Sequence, residues 1–392
     1  METLSALHEA NAKEMVEKNG ISVPKSYSDL DKEYYALRKN IALTDYSHYT
    51  KIKLEGDEAF DLLDFAVAGD VAEIRDEQSL YTVMLDDNGD IITDLYVMND
   101  DDTYILLAEH VDDATMMSLL EERKGDFEDV EITSLTESHA IVAIEGPYAW
   151  ELATEVYGMD VIGIPFLGFI ALEDETYLLR AGKHGEYGFK VVIPQDQAAD
   201  LWATFEEKGT RYELVKAGVG VQAITRIENP YFMPEGVGKL SRNPRELQLQ
   251  WMVRYDKEEF VGRDALLEKR DEELQNKVVG FVVEKDGEDN SIAAGDKVVC
   301  GGEEIGEVAT VGFSPSMKKM IAQVFLNADY AYAGVTDYAI KAADGSEKAG
   351  STTATPFFVN HSMLINPNEH SFVNPDKFRN MIEQLEAKKA EA

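Results

Sequence analysis

With 392 residues, 44% of them hydrophobic and 29% charged, the chain is long enough for two or three packed domains and too apolar to be largely disordered. Its 75 acidic and 37 basic residues leave a formal charge of −38, a field that disfavours nucleic acid and anionic membrane surfaces as partners and reads first as the mark of an acidic, salt-adapted proteome. The single cysteine, Cys300, excludes an internal disulfide framework and a cysteine-rich metal site, and no apolar run approaches the roughly 18–20 residues of a membrane span.

In chain order, the opening METLSALHEANAKEMVEKNG mixes charges with small and apolar residues and lacks the apolar stretch of a secretory signal, which points to a cytoplasmic location. Residues 52–63 (IKLEGDEAFDLL) and 142–153 (VAIEGPYAWELA) share one pattern: an alternating strand, a Glu-Gly turn and a helix start. The apolar face predicted for the first helix carries Ala59, Phe60 and Leu63, and that of the second Ala149, Trp150 and Ala153. YTVML (81–85) and IITDLYVM (91–98) flank Asp86, Asp87, Asn88 and Gly89, a hairpin turn signal. TYILLAEH (103–110) reads as a further strand and 114–122 as a helix. The run Asp100, Asp101, Asp102 lacks the twelfth-position glutamate of a calcium loop and reads as a solvated turn. After the second module, FIALEDETYLLRAG (169–182) and YGFKVVIP (187–194) read as strands, and 197–208 as a helix with Trp202 on its apolar side. From 277 onward, short strands separated by Gly, Asp and Asn predict an all-β domain, in which Gly302 and Gly306 punctuate hairpins. A charged helical pattern at 377–392 closes the chain at the surface.

Asp94 is conspicuous within IITDLYV, because a carboxylate among apolar strand residues calls for a partner, although the run does not fix which face it takes. Glu186 follows a Gly-x-x-Gly turn, where backbone can approach a flat ligand closely. Arg226 lies in the apolar stretch AITRI, with Glu228 as a nearby ion-pair partner. Tyr96 and Tyr104 sit on candidate pocket strands, and His48 in DYSHYT precedes the first module.

The order of motifs resembles the glycine-cleavage T-protein (aminomethyltransferase) superfamily across residues 5–345. The segments are ALRKNIALTDYSHYTKIKLEG, MLDDNGDIITDLYV, LLRAGKHGEYGF, AITRIENPYF, DKEEFVGRDAL and IGEVATVGFSPSMKKMIA, each similar to a family motif in the same sequence. The resemblance implies an α+β, three-domain cloverleaf of two α+β domains and a C-terminal β-barrel. Its domains would be 1–51 with 138–255, then 52–137 carrying the catalytic hairpin, then 256–365 as linker and barrel, with 366–392 as a surface tail. It further implies a tetrahydrofolate-dependent one-carbon transferase. Asp94 would be catalytic, Glu186, Arg226, Tyr96 and Tyr104 would contact tetrahydrofolate, and His48, Lys183, His184 and His110 would lie on the substrate side. No metal is called for.

The chain departs from the family where the donor enters. Thr93-Asp94-Leu95 stands for Asp-Asp-Leu, Gly182-Lys183-His184-Gly185-Glu186 for Gly-Tyr-Thr-Gly-Glu, and Glu109-His110 for an Asn-Ala-like pair. Asn243-Pro244-x-Glu246 resembles wording found in demethylase members. These changes favour a small, anionic methylated donor (O-, N- or S-methyl), with the aminomethyl group of lipoylated H-protein as the alternative. A non-catalytic folate-binding homologue is a second alternative, but the Lys-Gly-Cys motif typical of the related assembly proteins is missing around Cys300.

Overall fold

The computed structural model describes residues 3–101 and 103–391; Met1, Glu2, Asp102 and Ala392, which the expected domains and acidic turn include, lie outside the described residues. Helix α1 (Leu4–Asn11) is followed by a hairpin of β1 (Glu14–Lys18) and β2 (Ile21–Ser26), then by α2 (Leu30–Lys39) and β3 (Ala42–Asp45). The first module is β4 (Thr50–Glu55) and α3 (Ala59–Ala66); β5 (Gln78–Leu85), β6 (Ile91–Asp100), β7 (Thr103–Ala108), α4 (Asp113–Lys124) and β8 (Glu131–Ser134) follow it. They form a sheet in the order β5-β6-β7-β4-β8. The second module is β9 (His139–Glu145) and α5 (Ala149–Tyr157), continued by β10 (Phe169–Ala171), β11 (Tyr177–Leu179), β12 (Gly188–Pro194), α6 (Ala198–Gly209) and β13 (Val215–Lys216). The second sheet runs β10-β11-β12-β9-β3-β13.

The repeat seen in the sequence is a shared backbone device. Gly56 and Gly146 each turn the strand into the helix at φ +122° and +139°, and a Cβ there would lie 2.2 Å from the Asp129 carbonyl oxygen and 2.4 Å from that of Asn40. Only glycine permits both the dihedral and the close approach. The two helix faces differ in detail from expectation. Ala59, Leu62 and Leu63 are buried while Phe60 is 37% exposed, so Leu62 takes the place assigned to Phe60; Ala149, Trp150 and Ala153 are all buried.

Each sheet buries both faces. Leu95, Val97 and Leu106 pack outward with Leu62, Leu63, Met116 and Leu120 from α3 and α4. Tyr81, Val83, Tyr96 and Met98 pack inward with Ile141, Ala143 and Leu179 of the second sheet. Because alternate residues point to opposite faces, Asp94 shares the inward face with Tyr96, and the register sets it opposite Val83. The short helix α7 (Gln222–Glu228) and α8 (Arg263–Asp271) lead to six strands, β14 (Asn276–Asp286), β15 (Lys297–Cys300), β16 (Glu303–Ser314), β17 (Lys319–Asn327), β18 (Tyr338–Lys341) and β19 (Glu347–Thr353). They close into a barrel in the order β14-β17-β16-β15-β18-β19. β19 (EKAGSTT) has no apolar alternation to announce it; it is specified by pairing with β14 and β18. Asn243 and Glu246 brace the linker: the Asn243 Oδ1 accepts from the Arg245 N–H at 2.9 Å, and the Glu246 carbonyl accepts from the Val278 N–H at 2.8 Å.

Beyond the barrel the chain returns to the second sheet. Phe372 and Val373 pack against its helix-side core and His370 and Ser371 are buried, whereas residues 374–379 and most of α9 (Met381–Glu391) have the exposed, charged character expected of a tail. The return is fastened through Arg38 of α2, 2% exposed. Its guanidinium donates to Glu228 at 2.6 and 3.2 Å, to the His184 carbonyl at 2.5 Å, to Asn360 Oδ1 at 3.1 Å and to Glu186 at 3.4 Å. Arg38→Met strands two buried carboxylates and is expected to destabilise the fold by about 3–5 kcal/mol. Arg254→Met, which breaks a half-exposed pair with Glu73, is expected to cost less than about 1 kcal/mol. Urea unfolding of the two variants at neutral pH measures the contrast.

Candidate active site

Four elements deliver charge to the space between the sheets. Asp94 comes from the middle of β6, Glu109 from the end of β7, Lys183 from the loop between β11 and β12, and Arg226 from α7, and all four are buried. The Lys183 ammonium donates to Asp94 Oδ2 at 2.5 Å and to Glu109 Oε2 at 2.8 Å. Arg226 Nη2 donates to both oxygens of Glu109 at 3.0 and 2.9 Å. The Tyr81 hydroxyl also donates to Asp94 Oδ2. Asp94 Oδ1 is buried with no hydrogen-bond partner, and so is Arg226 Nη1. His110 stands at the edge of the network, its Nε2 3.9 Å from Asp94 Oδ1 and 3.8 Å from Glu109.

Burial opposes ionisation of Asp94, but the Lys183 ammonium, with a smaller contribution from His110, holds the carboxyl below its ordinary range. Glu109 is held further down for the same reason, with Arg226 the larger counterweight. Arg226 partners Glu109; Glu228, the alternative partner near it in sequence, is bonded instead to Arg38, Tyr34 and Ser314.

His184 adjoins a second buried cluster, with Nε2 3.1 Å from the Tyr46 hydroxyl and 3.5 Å from Glu145, which also pairs with Lys190. Burial pushes the His184 imidazole down to about 3, so the ring is neutral at physiological pH. Tyr96 lies in the central core, its ring 4.9 Å from that of Tyr81. Tyr104 packs in the helix-side core of the first sheet, away from Asp94, because it follows the opposite strand phase. Among residues not singled out from the sequence, Tyr81 bonds Asp94 directly and Tyr46 bonds His184. Tyr81 sits in the same predicted hairpin as Asp94, but its role follows from cross-strand register that the sequence pattern alone does not supply.

Glu186 lies in the same loop as Lys183, and burial raises its carboxyl above the ordinary range. One oxygen accepts from the Ser362 N–H and hydroxyl at 2.8 and 2.7 Å; the other accepts from the His361 N–H at 3.3 Å. Adjacent N–H donors thus meet both carboxylate oxygens. Glu186, Arg180, Phe166 and Tyr231 line a cavity of 370 Å³. Tyr231 also lines a neighbouring cavity of 310 Å³ with Trp251 and Gln248, and the Tyr81 ring packs on both Tyr231 and Trp251. A separate cavity of 310 Å³ reaches the other end of the network, where Glu109, His110 and Arg226 line it together with Lys18, Gln222 and Met233.

Residues 4–257 match the GCVT N-terminal domain, and residues 276–358 match the Glycine cleavage T-protein C-terminal barrel domain. The chain belongs to the glycine-cleavage T-protein family. It is 32% identical over 323 residues to an aminomethyltransferase of Thermoanaerobacter pseudethanolicus, covering 80% of this chain and 86% of that one. It is 28% identical over 367 residues to an aminomethyltransferase of Chlorobaculum tepidum, covering 90% and 97%. The fold is that of the glycine cleavage system aminomethyltransferase T from Bartonella henselae, with a TM-score of 0.78, 23% identity and coverage of 91% and 97%. The expected T-protein-like architecture, with its C-terminal barrel, is therefore the observed one. Among the described residues no helix is long and apolar enough to cross a membrane.

His48 lies next to the network within this T-protein fold, fully buried and with neither ring nitrogen hydrogen-bonded. Burial pushes its imidazole down to about 3, with Glu109 and Asp45 pulling upward and Lys18 and His110 downward. A neutral His48 contributes stability that is complete above the unfolded value of about 6.5 and is lost as pH falls from there toward 3. Between pH 7 and pH 5, His48→Leu is expected to lose less stability than the wild type, by up to about 2 kcal/mol, as read from urea unfolding at both pH values.

Proposed function

We propose that the chain transfers a one-carbon unit to tetrahydrofolate, with Asp94 as the group that orients the acceptor nitrogen and balances charge developing on it. The observation that carries this reading is Asp94 itself: an anionic carboxylate with Oδ2 fixed by Lys183 and Tyr81 and Oδ1 buried without a partner. An N–H of the reduced ring bonded to Oδ1 would hold the nitrogen lone pair toward the donor carbon, and a fixed anion stabilises positive charge that grows on that nitrogen during attack. The substrate fits the surrounding groups. The amino group and adjacent ring N–H of a pterin present a pair of donors like that of Ser362 and His361 at Glu186, so segment 360–362 would yield these bonds when the ring enters. Trp251, Tyr231 and Phe166 offer aromatic faces for its flat rings.

An aminomethyl unit carried by lipoylated H-protein is the donor this reading adopts, supported by relatives named aminomethyltransferase. The cavity lined by Glu109, His110 and Arg226 gives such an arm its own approach to the network. A small anionic methyl donor loses the support that Lys183 and His184 lent it. Lys183 is ion-paired twice, and His184 is neutral.

Tetrahydrofolate at saturation is expected to raise the melting temperature, as any ligand selective for the folded state does, and no shift would reject the reading. Asp94→Asn is expected to retain that shift while lowering transfer by at least about a hundredfold. The assay runs the transfer in reverse, from methylene-tetrahydrofolate and ammonia to the lipoyl arm of H-protein with release of tetrahydrofolate. If transfer fails there and methylated acids instead yield methyl-tetrahydrofolate, the donor is the small-molecule one.

A further inference from the structure

The sequence places a lysine where the family pattern has an aromatic residue, and the structure puts its charge in an unusual enclosure. The Lys183 side chain is 2% exposed. Its ammonium touches Asp94 and Glu109 and lies 5.3, 5.8 and 5.9 Å from the ring centres of Tyr81, Tyr49 and Tyr96. Carboxylates supply the countercharge and ring faces supply cation–π attraction, which together stabilise a monocation removed from water. The enclosure is also specific in what it satisfies. Lys183 takes one oxygen of Asp94 and one of Glu109, Arg226 takes both oxygens of Glu109, and of the four carboxylate oxygens of this pair Asp94 Oδ1 is the one left unbonded.

We propose that Lys183 is a positioning residue for Asp94, fixing it as an anion that offers a single oxygen to the substrate N–H. This rests on the transferase reading and deepens it. Every charged or titratable group packed about Asp94 enters the balance: Lys183 and His110 favour its anion, Glu109 opposes it, and Tyr81, Tyr96 and Tyr231 surround it as neutral phenols. Arg226 acts on Asp94 mainly by neutralising Glu109. Without the ammonium, Asp94 is left beside the Glu109 carboxylate in a site that burial already makes hostile to its charge, and it takes up a proton at neutral pH. A protonated Asp94 has an O–H to donate and no longer balances positive charge at the acceptor nitrogen.

The test uses the full chain with Lys183→Ala. Transfer to tetrahydrofolate is expected to fall about tenfold or more at neutral pH, with the acid limb of the kcat profile moved upward and the KM for tetrahydrofolate changed little. Methylammonium added to Lys183→Ala is expected to refill the enclosure, restoring activity and returning the acid limb toward its wild-type position, while neutral methanol restores nothing. Infrared difference spectra should show a protonated carboxyl in Lys183→Ala that is lost in Lys183→Ala/Asp94→Asn and on adding methylammonium. If Lys183→Ala does not fold, Lys183→Arg is expected to keep the wild-type acid limb, and a limb displaced in that variant overturns the proposal. A Lys183→Ala enzyme with an unmoved pH profile, no protonated carboxyl and no rescue also overturns it. If the wild type transfers nothing to tetrahydrofolate, the transferase reading fails, and the infrared experiment still decides whether Lys183 sets the charge of Asp94.

Discussion

Four buried charges, Asp94, Lys183, Glu109 and Arg226, hold the centre of this protein together, and they come from two strand segments of one sheet, a loop of the other and a helix that leads into the barrel. Removing one member of such a set leaves a bare charge in a low-dielectric interior, typically at a cost of about 3–5 kcal/mol, which makes the pairing a strong constraint on how the elements meet. It also fixes the chemistry. With the two carboxylates of Asp94 and Glu109 matched by the two cations Lys183 and Arg226, this network has no net charge, whereas the chain as a whole carries −38. The acidity belongs to the surface, and the two cations of this network are committed to its carboxylates.

A second set of contacts ties the chain beyond the barrel to the same region. Arg38 joins α2 to Glu228 of α7, to the loop carrying Lys183 and Glu186, and to Asn360. Ser362 and His361 then occupy the carboxylate of Glu186. Gly185 lets Asn360 approach this closely: its φ is +79°, and a Cβ there would sit 2.0 Å from the Asn360 amide nitrogen. The loop from Lys183 to Glu186 therefore faces the charge network at one end and the returning chain at the other, so a ligand that rearranges residues 360–362 acts on a loop that also holds Asp94.

Much of the local structure was legible because it rests on short-range pattern. The Asp86 to Gly89 turn with its flanking alternation gave the hairpin of β5 and β6, and the paired Glu-Gly turns gave both strand-to-helix modules. Asp94 stood out as a carboxylate in an apolar strand, but its phase was hidden, since β6 is buried on both faces and an alternation that separates wet from dry sides was absent. Phe60 misled for the converse reason: an aromatic residue in an amphipathic pattern was assigned to the core, yet the helix turns it outward beside Leu62. Lys183 and Glu109, the ion-pair partners of Asp94 and Arg226, lie 89 and 117 positions from them in the chain. Only tertiary packing specifies them, which is why Glu228 was the nearby alternative partner for Arg226 and Lys183 was placed on the substrate side. Tyr104 was assigned to the pocket because strand membership was readable and strand face was not.

The most direct measurement of the central claim is a crystal structure of the protein with tetrahydrofolate. The bound ring should lie against Tyr231 and Trp251, with its amino edge on Glu186 in place of Ser362 and a ring N–H on Asp94 Oδ1, while Lys183 keeps its bond to Oδ2. Tetrahydrofolate seated elsewhere, with Glu186 still bonded to Ser362 and Asp94 Oδ1 still unpartnered, would contradict a transferase built around Asp94.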